Sequence, residues 1–232
     1  MGCQKIKAVI FDLDDTLFDC TGQLTDPARK RAVDILEKKI PGLTRERLFA
    51  KQVTLSNEHG SSGAIELIGR QNGLSRADIH KALEAYNRLE VENIHPFPET
   101  LPTLETLRKL GIKQVVATSG RPERQGQKVQ SLGLDSFFTL ESGTLFFHDD
   151  LADSYKDATL ETALVHLSVP ADFVLSVGDK LDSEIAASNR LGMITVRLLH
   201  GRQKDRQPAN PDETPDHEIA SLNELLQLIE TS

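Results

Sequence analysis

The segment Ala8-Val9-Ile10-Phe11 is a short, unbroken apolar run that halts at Asp12-Leu13-Asp14-Asp15-Thr16. An apolar run of that length without alternation reads as a strand buried on both faces, the pattern of a parallel sheet. Three more such runs follow far downstream: Val115-Val116-Ala117, Phe173 to Val177, and Thr195 to Leu199. Between them, Leu101, Leu104, Leu107 and Leu110 recur at helical spacing and stop at Gly111, while Leu160, Ala163, Leu164 and Leu167 lead to Pro170. Strands alternating with helices imply βαβ units. The expected fold is α/β, a doubly wound, Rossmann-like parallel sheet covered on both faces.

The stretch 18–96 departs from that rhythm, because its periodicity is helical throughout. Ala28, Ala32, Ile35 and Leu36 form one helix face; Ile65, Leu67 and Ile68 belong to a second, ended by Gly73; Ser75 caps a third that carries Ile79, Leu83, Tyr86 and Leu89. It reads as a small all-helical cap domain, residues 18–96, inserted into an α/β core of residues 1–17 and 97–232. His95-Pro96-Phe97-Pro98 breaks the helical pattern and returns the chain to the sheet. Asn57 to Gly63 is expected to be a loop, either facing a substrate with its hydroxyls or serving as a plain interhelical turn. Lys204 to Pro215, with three prolines, reads as a surface loop, and a last amphipathic helix is expected from about Leu222 to Ile229.

Charge and composition narrow the partners. The chain has 27 Lys and Arg against 35 Asp and Glu, a formal net charge of -8, and no basic run. That balance argues against nucleic acid, whose binding rests on Lys and Arg neutralising phosphates. No window approaches the roughly 18 consecutive apolar residues of a membrane span. Residues 1–5 lack the layout of a signal peptide, so a cytoplasmic protein is expected, with a small molecule or another protein as its partner. Cys3 and Cys20 are too few for a disulfide framework or a thiolate metal site and read as free thiols.

In an open parallel sheet the ligand crevice lies outside the carboxyl ends of the strands, where Asp12, Asp14 and Asp15 fall. Crowded carboxylates repel unless a cation or proton neutralises them, and Mg²⁺ takes oxygen ligands, so a divalent metal is implied. The competing reading is an ordinary turn or helix N-cap. A second acidic cluster, Gly178-Asp179-Lys180-Leu181-Asp182-Ser183-Glu184, follows another strand and would bring Asp179 beside the first if the two strands are neighbours. Asp182 and Glu184 would then occupy the first turn of a helix, where carboxylates gain from the macrodipole. Thr118-Ser119-Gly120 ends a third strand; hydroxyls beside a glycine turn at a helix start can hold phosphate oxygens. His148-Asp149-Asp150 has metal-like composition but reads as a solvated loop.

Together these features resemble the haloacid dehalogenase-like hydrolase superfamily over essentially the full chain. Val9-Ile10-Phe11-Asp12-Leu13-Asp14-Asp15-Thr16-Leu17 is similar to its first motif, Asp-x-Asp-x-Thr after an apolar strand. Ala117-Thr118-Ser119-Gly120 is similar to the second, with Ser119 where many relatives carry Asn. Val177-Gly178-Asp179 is similar to the fourth, with Glu184 at the place of a second acid that is more often Asp. Gln125-Gly126-Gln127-Lys128 through Leu132-Gly133-Leu134 to Phe137-Phe138 also resembles phosphatase members. Lys156, in Ser154-Tyr155-Lys156-Asp157, is the candidate third-motif lysine, with Asp157 in place of the common Pro; Lys180 and Arg121 are the alternatives.

What the resemblance implies is phosphoryl transfer from a small phosphorylated substrate through a covalent aspartyl-phosphate. Asp12 would be the nucleophile and Asp14 the general acid and base. Mg²⁺ would be held by Asp12, the Asp14 backbone carbonyl and Asp179, while Thr118, Ser119 and Lys156 would bind phosphoryl oxygens. The acid at position 14 sets the chain apart from carbon–halogen-cleaving and phosphonate-cleaving members. Sugar-phosphate mutases keep that acid, so a mutase stays open as a second reading. A catalytically idle binding or regulatory module is the alternative of another class, since one fold hosts many functions.

Overall fold

The structure, a computed structural model, describes residues 6–88, 91–148 and 156–231. It divides into two compact units, one formed by Met1–Thr21 with Val91–Ser232 and the other by Gly22–Glu90.

The first unit is built on six strands: β1 (Ala8–Phe11), β2 (Lys113–Ser119), β3 (Leu145–His148), β4 (Val174–Gly178), β5 (Ile194–Leu198) and β6 (His217–Ile219). They lie in the order β3-β2-β1-β4-β5-β6, and every pairing is parallel. This is the expected α/β sheet, with two edge strands more than the apolar runs indicate. All four residues of β1 are buried, because strands flank it on both sides and packed elements cover both faces. Ala8 and Ile10 join Val115, Ala117, Leu160, Ala163, Leu167 and Met193 in one apolar cluster beneath the sheet. The cluster draws on β1, β2 and the helix α6 (Lys156–Leu167), whose apolar residues recur at the three- and four-residue spacing of a buried helix face.

The order of the strands fixes where the acids go. Phe11 is paired with Val116 of β2 and with Val177 of β4, so β1 and β4 end within one residue of each other while β2 runs on to Ser119 beside the residues that follow β1. Asp12 extends the ladder by donating its N–H to the Val177 carbonyl at 2.8 Å. The chain then leaves the sheet and later returns beside itself. Phe18 pairs with Pro96, Phe97 donates its N–H to the Leu17 carbonyl, and the Thr100 hydroxyl does the same at 2.8 Å.

The second unit contains α1 (Asp26–Glu37), α2 (Arg45–Gln71) and α3 (Arg76–Asn87), packed around Ala32, Val33, Leu36, Leu48, Ile65, Ile68 and Ala82. Thr44 and Ser75 cap α2 and α3 by accepting the N–H of Arg47 and of Asp78. Asn57 to Gly63, expected as a loop or an interhelical turn, is helical on both sides of Gly60, whose non-helical φ 65° and ψ 166° make it the one-residue kink at which two helical segments meet within α2. A glycine tolerates that conformation without a Cβ clash, so one residue absorbs the bend and the hydroxyl-bearing residues around it remain helical.

The remaining helices of the first unit are α4 (Thr100–Lys109), which stops at Leu110-Gly111 as the leucine spacing implies, α5 (Pro122–Ser131), the short α7 (Ala186–Arg190) and α8 (Glu224–Thr231). The proline-bearing loop after β5 is tied down by the buried Arg197, whose guanidinium donates to the carbonyls of Gln203, Lys204 and Arg206 and pairs with Glu218. Among the described residues no helix is long and apolar enough to cross a membrane. Ile10 sits in the centre of the sheet cluster at 1 % exposure, and Ile10→Ala should cost about 2–5 kcal/mol. A lowered urea midpoint with an unchanged slope is the expected result.

Candidate active site

The carboxyl ends of β1 and β4 bring Asp12 and Asp179 together, both almost fully buried. Gly178 makes room for Glu184: a Cβ added there would lie 2.9 Å from the Glu184 side chain, too close to tolerate, while its 3.6 Å to the Asp12 Cβ would be ordinary contact. After Lys180 the chain enters a π-helical turn, Leu181–Ile185, which points Glu184 back beneath the strand end; Asp182 faces outward and pairs with Arg206 at 2.6 Å. Glu184 is therefore not the surface capping residue its helix position suggests. It is a buried member of the cluster.

Lys156 supplies the counter-charge. It is the first residue of α6, 4 % exposed, and its ammonium donates to Asp12 Oδ1 at 2.9 Å and to the Ala117 carbonyl at 2.8 Å, with Glu184 Oε1 at 3.2 Å. The residue after it, Asp157, stands where relatives often have Pro, and it turns away to form a two-pronged pair with Arg190, both contacts at 2.8 Å. Lys180 lies 3.9 Å from the same Glu184 oxygen that Lys156 approaches, and Arg121 stands at the start of α5.

These charges set the protonation of the group. Burial pushes Asp12 up to about 6; Lys156 and Lys180 oppose that shift and Glu184 adds to it. Burial likewise holds Asp179 well above the usual carboxylate range, against the pull of Lys180. Glu184 goes the other way: its burial is outweighed by the ammoniums of Lys180 and Lys156, which hold it down at about 2. Lys156 stays ionised, because Asp12 and Glu184 more than offset its burial. Asp12 Oδ2, Asp179 Oδ1 and Glu184 Oε2 are buried without a hydrogen-bond partner among the described residues.

Asp14 occupies a separate environment. Both of its oxygens accept from the Lys128 ammonium, at 2.7 and 2.6 Å, and the Cys20 thiol also bonds to it. Burial opposes ionisation here too, but Lys128 outweighs it and lowers Asp14 below the ordinary range. Burial and the Asp14 charge together keep the free Cys20 thiol neutral. Asp15 is turned into the left-handed region (φ 61°), and its carboxylate accepts from the Thr21 N–H and hydroxyl at 2.7 and 2.6 Å. Asp15, Asp19 and His200 have ligand atoms within 4.8 Å of one another, a grouping separate from the predicted metal set.

Thr118 and Ser119 close β2, with Thr118 buried and Ser119 half-buried. Gln125 of α5 reaches back to donate to the Ser119 carbonyl, and a Cβ at Gly120 would meet that same amide at 2.8 Å. His148 closes β3 in the backbone, and Asp149 and Asp150 lie outside the described residues. The main partner missed from sequence is Lys128. One signal for it existed: Pro122 to Ser131 carries Val129 as its only large aliphatic residue, so a helix there has to bury polar side chains.

Breaking a buried pair by removing one partner strands the other charge. Lys156→Met should therefore lower stability by about 3–5 kcal/mol, whereas Asp157→Ala, which cuts a half-exposed surface pair, should cost at most about 1 kcal/mol. Chemical denaturation of the two variants side by side checks the contrast.

Residues 6–192 match the family model described as haloacid dehalogenase-like hydrolase. The glyceraldehyde 3-phosphate phosphatase of Methanopyrus kandleri is 32 % identical over 230 residues, covering 97 % of each chain. Among solved structures, a HAD family hydrolase from Deinococcus radiodurans with bound phosphate and sodium superposes with a TM-score of 0.72 at 17 % identity, covering 98 % of this chain and 97 % of that one. The Bacillus subtilis protein YfnB bound to magnesium gives a TM-score of 0.63 at 17 % identity, over 97 % and 99 %. The parallel sheet, its acid-bearing strand ends and this match over most of the length agree: the chain belongs to the haloacid dehalogenase-like hydrolases.

Proposed function

We propose that the chain is a Mg²⁺-dependent phosphatase of small phosphate monoesters that works through an aspartyl-phosphate on Asp12. The observation that carries this reading is Asp12 itself: a buried carboxylate at a strand end, with one oxygen held by Lys156 and the other without a partner among the described residues. A nucleophile needs one oxygen fixed and one available. The unpartnered oxygens of Asp12 and Asp179 are hard, buried donors of the kind Mg²⁺ accepts. Asp12, the Asp14 backbone carbonyl and Asp179 would hold the ion, and its charge would ease the approach of a carboxylate to an anionic phosphate.

In the first step the Asp12 oxygen bonds to phosphorus as the bond from phosphorus to the ester oxygen breaks; Asp14, ionised beside Lys128 in the free chain, takes a proton from the monoanionic substrate as it binds and gives it to the departing alkoxide. In the second, water bonds to phosphorus, its proton goes to Asp14, and the bond from Asp12 to phosphorus breaks to release inorganic phosphate. Thr118, Ser119 and Lys156 would take the charge of the phosphoryl oxygens, since positioning and charge stabilisation dominate this chemistry. The Deinococcus neighbour with phosphate and the Bacillus neighbour with magnesium support the same anion and cation here. The Methanopyrus relative, alike along nearly its whole length, makes a three-carbon aldehyde phosphate the first substrate to try.

Phosphate release from glyceraldehyde 3-phosphate and a panel of small monoesters, with and without Mg²⁺, tests the reading. Release should require the ion and vanish in Asp12→Asn. In Asp14→Asn it should fall by about 10²- to 10⁴-fold, the usual worth of general acid–base help. Absence of release by the wild type, with isomerised sugar phosphate as product instead, would favour a mutase.

A further inference from the structure

We propose that Lys128 is a positioning residue for Asp14: its ammonium fixes the carboxylate in the orientation from which it exchanges protons with the leaving alcohol and the attacking water. The proposal rests on the phosphatase reading above. Lys128 lies on the inner face of α5, its side chain only 4 % exposed, and both hydrogen bonds its Nζ makes among the described residues go to Asp14, one to each oxygen. One donor group bridging both oxygens restrains rotation of the carboxylate as well as its place. A buried lysine is costly to desolvate, and a methionine of similar length would fill the same space without that cost. Simple packing therefore gives no reason for the ammonium.

The same helix face holds a second loop. Gln125, one turn before Lys128, is buried and bonds to the carbonyl of Ser119, so α5 references both Asp14 and the end of β2 to one rigid element. The group proposed to move protons and the residues proposed to hold phosphoryl oxygens are thereby fixed relative to each other. Misplacing a reacting group by about 1 Å can cost on the order of 10²-fold in rate, so a clamp on Asp14 has kinetic consequences that a clamp elsewhere would lack.

The test compares Lys128→Met, Asp14→Asn and the double variant, each checked for folding by thermal unfolding. With an alkyl phosphate, Lys128→Met should lower kcat by about 10²-fold and leave KM within a few-fold of wild type. In the Asp14→Asn background the same change should cost little further, because Lys128 acts through Asp14. With p-nitrophenyl phosphate, whose phenolate departs without a proton, Asp14→Asn and Lys128→Met should both give a stoichiometric burst of nitrophenolate and then slow turnover. Lys128→Gln, which keeps a donor and removes the charge, replaces the methionine variant if that one fails to fold, and should fall between it and the wild type. A raised KM with kcat unchanged would mean that Lys128 meets the substrate, and would overturn the proposal. So would wild-type kinetics in Lys128→Met, or independent, multiplicative losses in the double variant. A wild type that releases no phosphate, or an Asp14→Asn variant as active as the wild type, would instead defeat the phosphatase reading and this proposal with it.

Discussion

The ammonium of Lys156 allows carboxylates from two neighbouring strand ends to be buried side by side. Asp12 at the end of β1 and Glu184 beyond β4 both lie within 3.2 Å of it, and the Ala117 carbonyl at the end of β2 takes a further donor. Three parallel strands thus converge on one cation. Without it, Asp12 and Glu184 would repel in a region where water cannot screen them, and the cost would fall on the strand ends that the sheet brings together. Because Lys156 is part of α6, the packing of that helix beneath the sheet and the placement of its ammonium are one structural event.

A second consequence of packing is that two carboxylates only two residues apart have opposite tendencies. Asp12 is pushed up by burial among other acids, whereas Asp14 is held down by its own lysine. These directions are the reverse of an ionised nucleophile and a protonated acid, so the proposed roles require a cation bound beside Asp12 and a proton brought to Asp14 with the substrate. The separation follows from their neighbours: Asp12 lies against Lys156 in the cluster with Glu184, and Asp14 against Lys128 of α5. Glu184 completes the arrangement: it keeps its charge between Lys156 and Lys180 and so holds both ammoniums near the strand ends.

The central strands were legible because burial on both faces demands apolar runs, and β1, β2, β4 and β5 all carry them. The edge strands were not. β6 has three residues, two of them exposed, and β3 is a four-residue edge whose apolar residues carry no periodic signal. Asn57 to Gly63 looked like a longer loop because glycine and serine weaken helix propensity, yet only Gly60 leaves helical geometry, and Leu48 on one side of it and Ile65 and Ile68 on the other pack into the same cluster. In the site, Asp12 and Asp179 announce themselves at the ends of apolar strands. The contact of Asp12 with Lys156 spans 144 residues and could be suggested only by family resemblance. Lys128 and Glu184 were obscure for a shared reason: each looks like a surface charge on a helix, and only tertiary packing turns it inward.

The central claim is that phosphorus is transferred to Asp12. The direct measurement is to quench the Asp14→Asn variant in acid during turnover of p-nitrophenyl phosphate with Mg²⁺, reduce with borohydride, and sequence the peptide containing residue 12 by mass spectrometry. An acyl phosphate is reduced by this treatment and a free carboxylate is not. Conversion of Asp12 to homoserine, dependent on substrate, is the predicted result. An unmodified Asp12 in a sample shown to be turning over, or homoserine at another position, would contradict the account.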